Sequence, residues 1–110
     1  MTVIRQEDLI ESIADALQFI SYYHPLDFIR AMRGAWEKEE SPSAKAALTQ
    51  VLVNSRMCAI GKRPICQDTG IVNVFISVGM DVSWEADMSL EDMINEGVRR
   101  GYTHPENVLR

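Results

Sequence analysis

The amino-acid sequence predicts an α+β fold that is mainly helical, on three observations. Apolar residues recur every three or four positions from Glu7 to Cys58, the period changes to two after Gly70, and a capped helical pattern resumes at Ser89. Together these describe about three helices, then a β-strand or small hairpin, then a final helix.

The first helix, Glu7 to about Tyr23, carries Leu9, Ile10, Ile13, Leu17 and Ile20 as one apolar stripe, with Asp8, Glu11, Ser12, Asp15 and Gln18 mostly opposite. His24-Pro25 ends it, because proline disfavours helical geometry in the residue before it, and Pro25 is placed to open the next helix at its first position. That helix, about Leu26 to Glu39, is expected to bury Phe28, Ile29, Met32 and Trp36. After the polar break Lys38–Ser43, Ser41 is a cap and Pro42 a first-turn residue. A third helix then runs to about Cys58, with Ala44, Ala47, Leu48, Val51, Leu52 and Ser55 at helical spacing. Ile71–Val78 is β-branched and aromatic, with Val72, Val74, Ile76 and Val78 on one face, so a strand is predicted there. Its available partner is the short Val82-Ser83-Trp84, in a weak hairpin. Ser89 caps the last helix, Leu90 to about Arg100, with Gly101 as its stop.

Composition narrows the function classes. At 110 residues, 46% hydrophobic and 25% charged, the chain can build one modest core. A net charge of −5 disfavours a nucleic-acid binder, whose affinity rests on clustered Lys and Arg. No apolar run approaches the roughly 20 residues of a membrane span, and Met1–Asp8 lacks the apolar core of a signal peptide, so a cytoplasmic protein without a membrane partner is expected. The two cysteines, Cys58 and Cys66, follow no disulfide-scaffold pattern, and Cys58 reads as a small buried hydrophobe.

The chemistry concentrates in Lys62-Arg63-Pro64-Ile65-Cys66-Gln67-Asp68-Thr69-Gly70, a proline-to-glycine loop feeding the predicted strand. A thiolate is the soft ligand that iron–sulfur clusters use, and a loop thiol near Lys62 and Arg63 ionises more readily than a buried one. Gln67 donates and accepts hydrogen bonds, and Asp68 can accept a proton or orient a base. Asp68-Thr69-Gly70 is equally ordinary turn chemistry, so the residue types alone leave a binding loop and a plain turn both open.

Pro64-Ile65-Cys66-Gln67-Asp68-Thr69-Gly70 resembles the N-terminal cysteine motif of the class I, iron–sulfur-dependent fumarate hydratases and of the related tartrate dehydratase α chains. The resemblance is strongest from about Ser43 to Val78. It implies a hydro-lyase that interconverts fumarate and (S)-malate with a [4Fe–4S] cluster, held by three cysteines, whose fourth iron acts as a Lewis acid. It assigns Cys66 as a cluster ligand, Gln67 and Asp68 as substrate-binding, and Asp68 as catalytic, with Thr69 and Gly70 fixing the loop.

The departures from the family pattern matter as much. Two cysteines cannot supply three ligands, Cys58 matches no ligand position, and His24 and His104 read as surface or turn residues. The resemblance therefore implies that residues 1–110 form a single partial domain, the N-terminal piece of the catalytic iron–sulfur domain of a larger α/β enzyme. Alone, that piece is expected to be inactive and to lack the cluster. Its expected partners are fumarate or malate in the full-length enzyme, the remainder of that enzyme, and further copies of itself in a homo-oligomer. A tartrate dehydratase α chain is the alternative within the family, and a helical interaction module without a metal role is the alternative outside it.

Overall fold

The helix boundaries follow from local signals that the chain states plainly. A computed structural model describes residues 1–66, 68 and 70–110, with the elements β1 (Thr2–Arg5), α1 (Gln6–Tyr22), α2 (Leu26–Lys38), α3 (Pro42–Gly61), β2 (Val82–Glu85) and α4 (Leu90–Thr103). The α+β, mainly helical class is as predicted. The chain divides into two units, Met1–Gln18 with Asp68–Arg110, and Phe19–Gln67.

In the first unit, α1 and α4 meet through small residues. Ile10 and Leu17 of α1 and Met93, Gly97 and Gly101 of α4 are buried, the last three being one stripe at i, i+4 and i+8. Gly97 lies so close to α1 that a Cβ there would come within 2.7 Å of Ile13 Cβ and 2.9 Å of the Ile10 carbonyl oxygen. Gly101 does not stop the helix as predicted: it lies inside α4, where a Cβ would be 3.2 Å from Leu17 Cδ1, and the chain leaves helical geometry at His104. Glycine at this position serves a close helix approach, which sequence spacing alone does not distinguish from a cap. Ser89 is the predicted N-cap, its hydroxyl accepting from the Asp92 N–H.

Arg100 of α4 ties the two helices together, binding Glu7 of α1 and Glu96 one turn back, while Arg99 binds Glu96 at 2.6 Å. The guanidinium of Arg99, and then that of Arg100, hold the Glu96 carboxyl at about 2 against an ordinary 4.5. The residues after α4 are also anchored. Gln18 donates to the Gly101 carbonyl and accepts from Val108 N–H, and Asn107 accepts from the N–H groups of Leu109 and Arg110.

The β-structure differs from expectation. β2 pairs in parallel with β1, in the register Thr2↔Val82 to Arg5↔Glu85, and not in a hairpin with residues 71–78. The Gln6 side chain accepts from the N–H groups of Asp87 and Met88, fixing the chain just after β2 beside the start of α1. Residues 71–79 belong to no helix or strand. Their composition and alternation suit a strand, but the extended segment expected to partner them is committed to β1.

In the second unit, α2 packs on α3. Trp36 Nε1 donates to Thr49 Oγ1 at 2.9 Å, and the Lys45 ammonium sits 4.1 Å from the Trp36 ring centre. Ile29, Met32 and Trp36 are half-buried as part of this contact, whereas Phe28 is exposed. On α1, Ile20 likewise departs from the predicted stripe and is exposed. Pro25 occupies the N-cap of α2 instead of its first helical position. Ser41 caps α3 and Pro42 opens it, as read from the sequence.

Candidate functional site

The loop bearing Cys66 begins where α3 is brought to a stop. Lys62, at φ 50 and ψ 53, takes the left-handed conformation, and its N–H and that of Arg63 both return to the Cys58 carbonyl oxygen. These two hydrogen bonds to one carbonyl oxygen close the helix. Lys62, Arg63 and Cys66 are all exposed on the segment that follows. Cys66 is therefore an accessible thiol, four and three residues after Lys62 and Arg63 in the chain.

Asp68, in the other unit, is exposed, and its Oδ1 accepts from the Gly70 N–H at 2.8 Å. That is an Asx turn, and Gly70 at φ 69 takes the left-handed conformation that an unbranched, Cβ-free residue reaches without strain. The turn reading is thus realised as far as Asp68 and Gly70 show it. It occupies one carboxylate oxygen and leaves Oδ2 without a hydrogen bond among the described residues. Gln67, predicted to bind substrate, and Thr69 lie outside the described residues.

Cys58 is buried on α3, the packing role expected of it. His24 and His104 sit at helix ends: Nδ1 of His24 is 2.6 Å from the hydroxyl of buried Ser55, and Nδ1 of His104 accepts from the Glu106 N–H. The His24–Ser55 bond joins residues 31 apart and satisfies the hydroxyl that α3 buries. Sequence spacing put Ser55 on the packing face and His24 in the turn but gave no sign that they meet.

The donor set bears on what the loop can hold. Among the described residues no three His, Cys, Asp or Glu side chains gather into a metal-binding group. Cys66 is the exposed soft donor and Cys58 is buried, whereas an iron–sulfur cluster takes up to four thiolates. These residues fit one corner of a cluster and not a whole one.

The helical unit carries an accessible loop thiol at Cys66, and the other unit carries the exposed Asp68 carboxylate. A family model described as "Fumarate hydratase (Fumerase)" matches residues 10–110, and the chain belongs to that family of hydro-lyases. It is 28% identical over 88 residues to a protein of Methanocaldococcus jannaschii named "Putative L(+)-tartrate dehydratase subunit alpha", a match covering 80% of this chain and 31% of the relative. The chain thus spans about a third of the length of that relative. No solved structure matches it. Among the described residues no helix is long and apolar enough to cross a membrane.

Proposed function

We propose that this chain is the N-terminal part of the catalytic domain of a class I fumarate hydratase, interconverting fumarate and (S)-malate, with Cys66 as one ligand of a [4Fe–4S] cluster completed by residues outside this chain. The observation that carries the reading is the exposed Cys66 thiol, delivered by the end of α3 beside Lys62 and Arg63, in a chain of this family. Such a cluster, when bound, supplies a Lewis acid for a substrate oxygen. The chain's own residues then bind and move protons. The Gln67 amide N–H donates to the substrate's carboxylate and its carbonyl oxygen accepts from the substrate's hydroxyl. Hydration adds a water oxygen to one alkene carbon and a proton to the other, and Asp68 Oδ2 takes up or hands over that proton while Oδ1 holds the turn. With one thiol ligand the isolated chain is inactive.

A second reading, part of a tartrate dehydratase α chain, is favoured by the name of the Methanocaldococcus relative. It uses the same three residues on a different hydroxy acid. The test is anaerobic iron–sulfide reconstitution of the longer polypeptide carrying these residues, assayed on fumarate and on L(+)-tartrate. Cys66→Ser should lose the cluster absorbance and Cys58→Ser keep it, because oxygen is a poorer ligand for cluster iron than thiolate. Equal absorbance in the Cys66 variant and the parent refutes the ligand assignment, and the preferred substrate decides between the two readings.

A further inference from the structure

We propose that Lys62 and Arg63 are an anion-recognising pair at the Cys66 end of α3, drawing a carboxylate of the dianionic substrate toward the thiol; that the anion is the substrate rests on the hydro-lyase reading above. The first observation is conformational. Lys62, at φ 50, is the single non-glycine residue with positive φ among the described residues. A helix stop of this kind favours glycine, because a Cβ crowds the following carbonyl oxygen, and Gly61 stands one position too early to take the role. A lysine is thus kept where the backbone alone asks for a residue without a side chain, and such strain is stored where the side chain is used.

The second observation is that the fold does not use these side chains. Arg5, Arg33, Arg99 and Arg100 each hold a carboxylate. Lys62 and Arg63 are exposed, and among the described residues neither side chain makes a hydrogen bond or an ion pair. The third is the distribution of charge. No Asp or Glu occurs from Ser41 to Gln67, whereas Lys45, Arg56, Lys62 and Arg63 do. The unit Phe19–Gln67 has seven Lys or Arg against four Asp or Glu, a net +3 inside a chain of net −5. Connectivity bounds the reach of the pair. Extended backbone spans at most about 3.6 Å per residue, so the Arg63 Cα lies within about 11 Å of the Cys66 Cα and the Lys62 Cα within about 14 Å, distances over which unit charges act at low salt. Two cations with no carboxylate of their own match the charge of a dicarboxylate, one end of which they hold while the other reacts.

The potential at Cys66 is read in the 110-residue chain from its alkylation by iodoacetate and by iodoacetamide, which differ in charge and little in size, with the modified cysteine identified by peptide mapping. The ratio of the two rates cancels the thiolate fraction. At about 0.01 M salt it should exceed the ratio for an uncharged thiol, N-acetylcysteine amide. The double variant Lys62→Asn, Arg63→Gln, in which asparagine still tolerates the left-handed backbone, should lower it about threefold, and about 1 M salt should erase the difference. In the reconstituted longer polypeptide the same variant should raise KM for the preferred acid about tenfold, with kcat and cluster absorbance changed less than about twofold. An unchanged alkylation ratio overturns the proposal. So does a loss of unfolding stability with KM unchanged, which would give the cations to the carbonyl end of α3 or to a carboxylate elsewhere in the polypeptide. Should Cys66→Ser keep its cluster, the hydro-lyase ligand assignment falls by itself, and the alkylation ratio still decides whether the pair attracts anions.

Discussion

Gly97→Ala adds one carbon where α4 has no room for it. The new Cβ would meet Ile13 Cβ at 2.7 Å, Ile13 Cγ2 at 2.8 Å and the Ile10 carbonyl oxygen at 2.9 Å. None of these is the far end of a flexible side chain, since two belong to the branch point of an isoleucine and the third to the backbone of α1. Relief requires the helices to part. Forcing extra carbon into a packed contact costs about 1–3 kcal/mol, while replacing glycine by alanine inside a helix returns about 1 kcal/mol. Three contacts under 3.0 Å put the cost at the upper part of that range, about 2–3 kcal/mol, so a net loss of about 1–2 kcal/mol is expected, or a Tm lower by roughly 5–10 °C for a domain of this size. Two other glycines calibrate the argument. At Gly101 the nearest atom is Leu17 Cδ1 at 3.2 Å, a side-chain end that can give way, so Gly101→Ala should be close to neutral. At Gly34 of α2 nothing lies within 4 Å, so Gly34→Ala should stabilise by up to ~1 kcal/mol. The order Gly34→Ala above Gly101→Ala above Gly97→Ala in urea or thermal unfolding is the prediction. A Gly97→Ala protein as stable as the parent would refute the close-packing account of α1 and α4.

Further outcomes follow from the charges, the thiols, the motif carboxylate and the caps. The Glu96 carboxyl lies at about 2 in the folded chain against an ordinary 4.5, so its contribution is fully present above 4.5 and is lost as pH falls toward 2; Glu96→Gln should flatten stability against pH across that window, as read by unfolding at stepped pH, and unchanged slopes would remove the Arg99–Glu96–Arg100 cluster from the account. One thiol equivalent, Cys66, should react quickly with a maleimide in the folded chain and the second, Cys58, only on unfolding; labelling followed by peptide mapping checks it. Asp68→Asn in the reconstituted longer polypeptide should lower turnover about 10²-fold or more with cluster content unchanged, and full activity would take Asp68 out of proton transfer. Ser41→Ala should cost about 0.5–1 kcal/mol by removing the cap of α3, at the low end because Ser41 Oγ accepts from Ala44 N–H at 3.5 Å, and a calorimetric scan reads it.

What the sequence made legible was whatever local chemistry decides. Ser41-Pro42 and Ser89 mark helix starts because a side-chain oxygen satisfies an otherwise unpaired N–H, and both start where expected. The stripe of Leu9, Ile10, Ile13 and Leu17 was equally readable, since burial on a helix follows its period. Pairing of distant segments was not. Thr2–Arg5 is a short β-branched run whose only distinction is that it meets Val82–Glu85, and nothing in either run names the other. Gly101 shows the same limit from another side: a cap and a close contact both ask for a residue without a side chain, and only the position of Leu17 separates them.

The site was legible to a different depth. That Cys66 is exposed and Cys58 buried follows from their places, one after a helix stop and the other on an apolar face, and both hold. The local turn at Asp68 also follows from its side chain reaching a backbone N–H two residues on, a motif that Asx residues form in many proteins without any catalytic role. What separates a turn from a site is therefore not the geometry of Asp68 itself but what comes to lie against its second carboxylate oxygen. One thiol is a fraction of the up to four thiolates that an iron–sulfur cluster takes. Cys66 follows α3 and its left-handed stop at Lys62, and Asp68, in the other unit, accepts from the Gly70 N–H; each is placed by local backbone geometry alone.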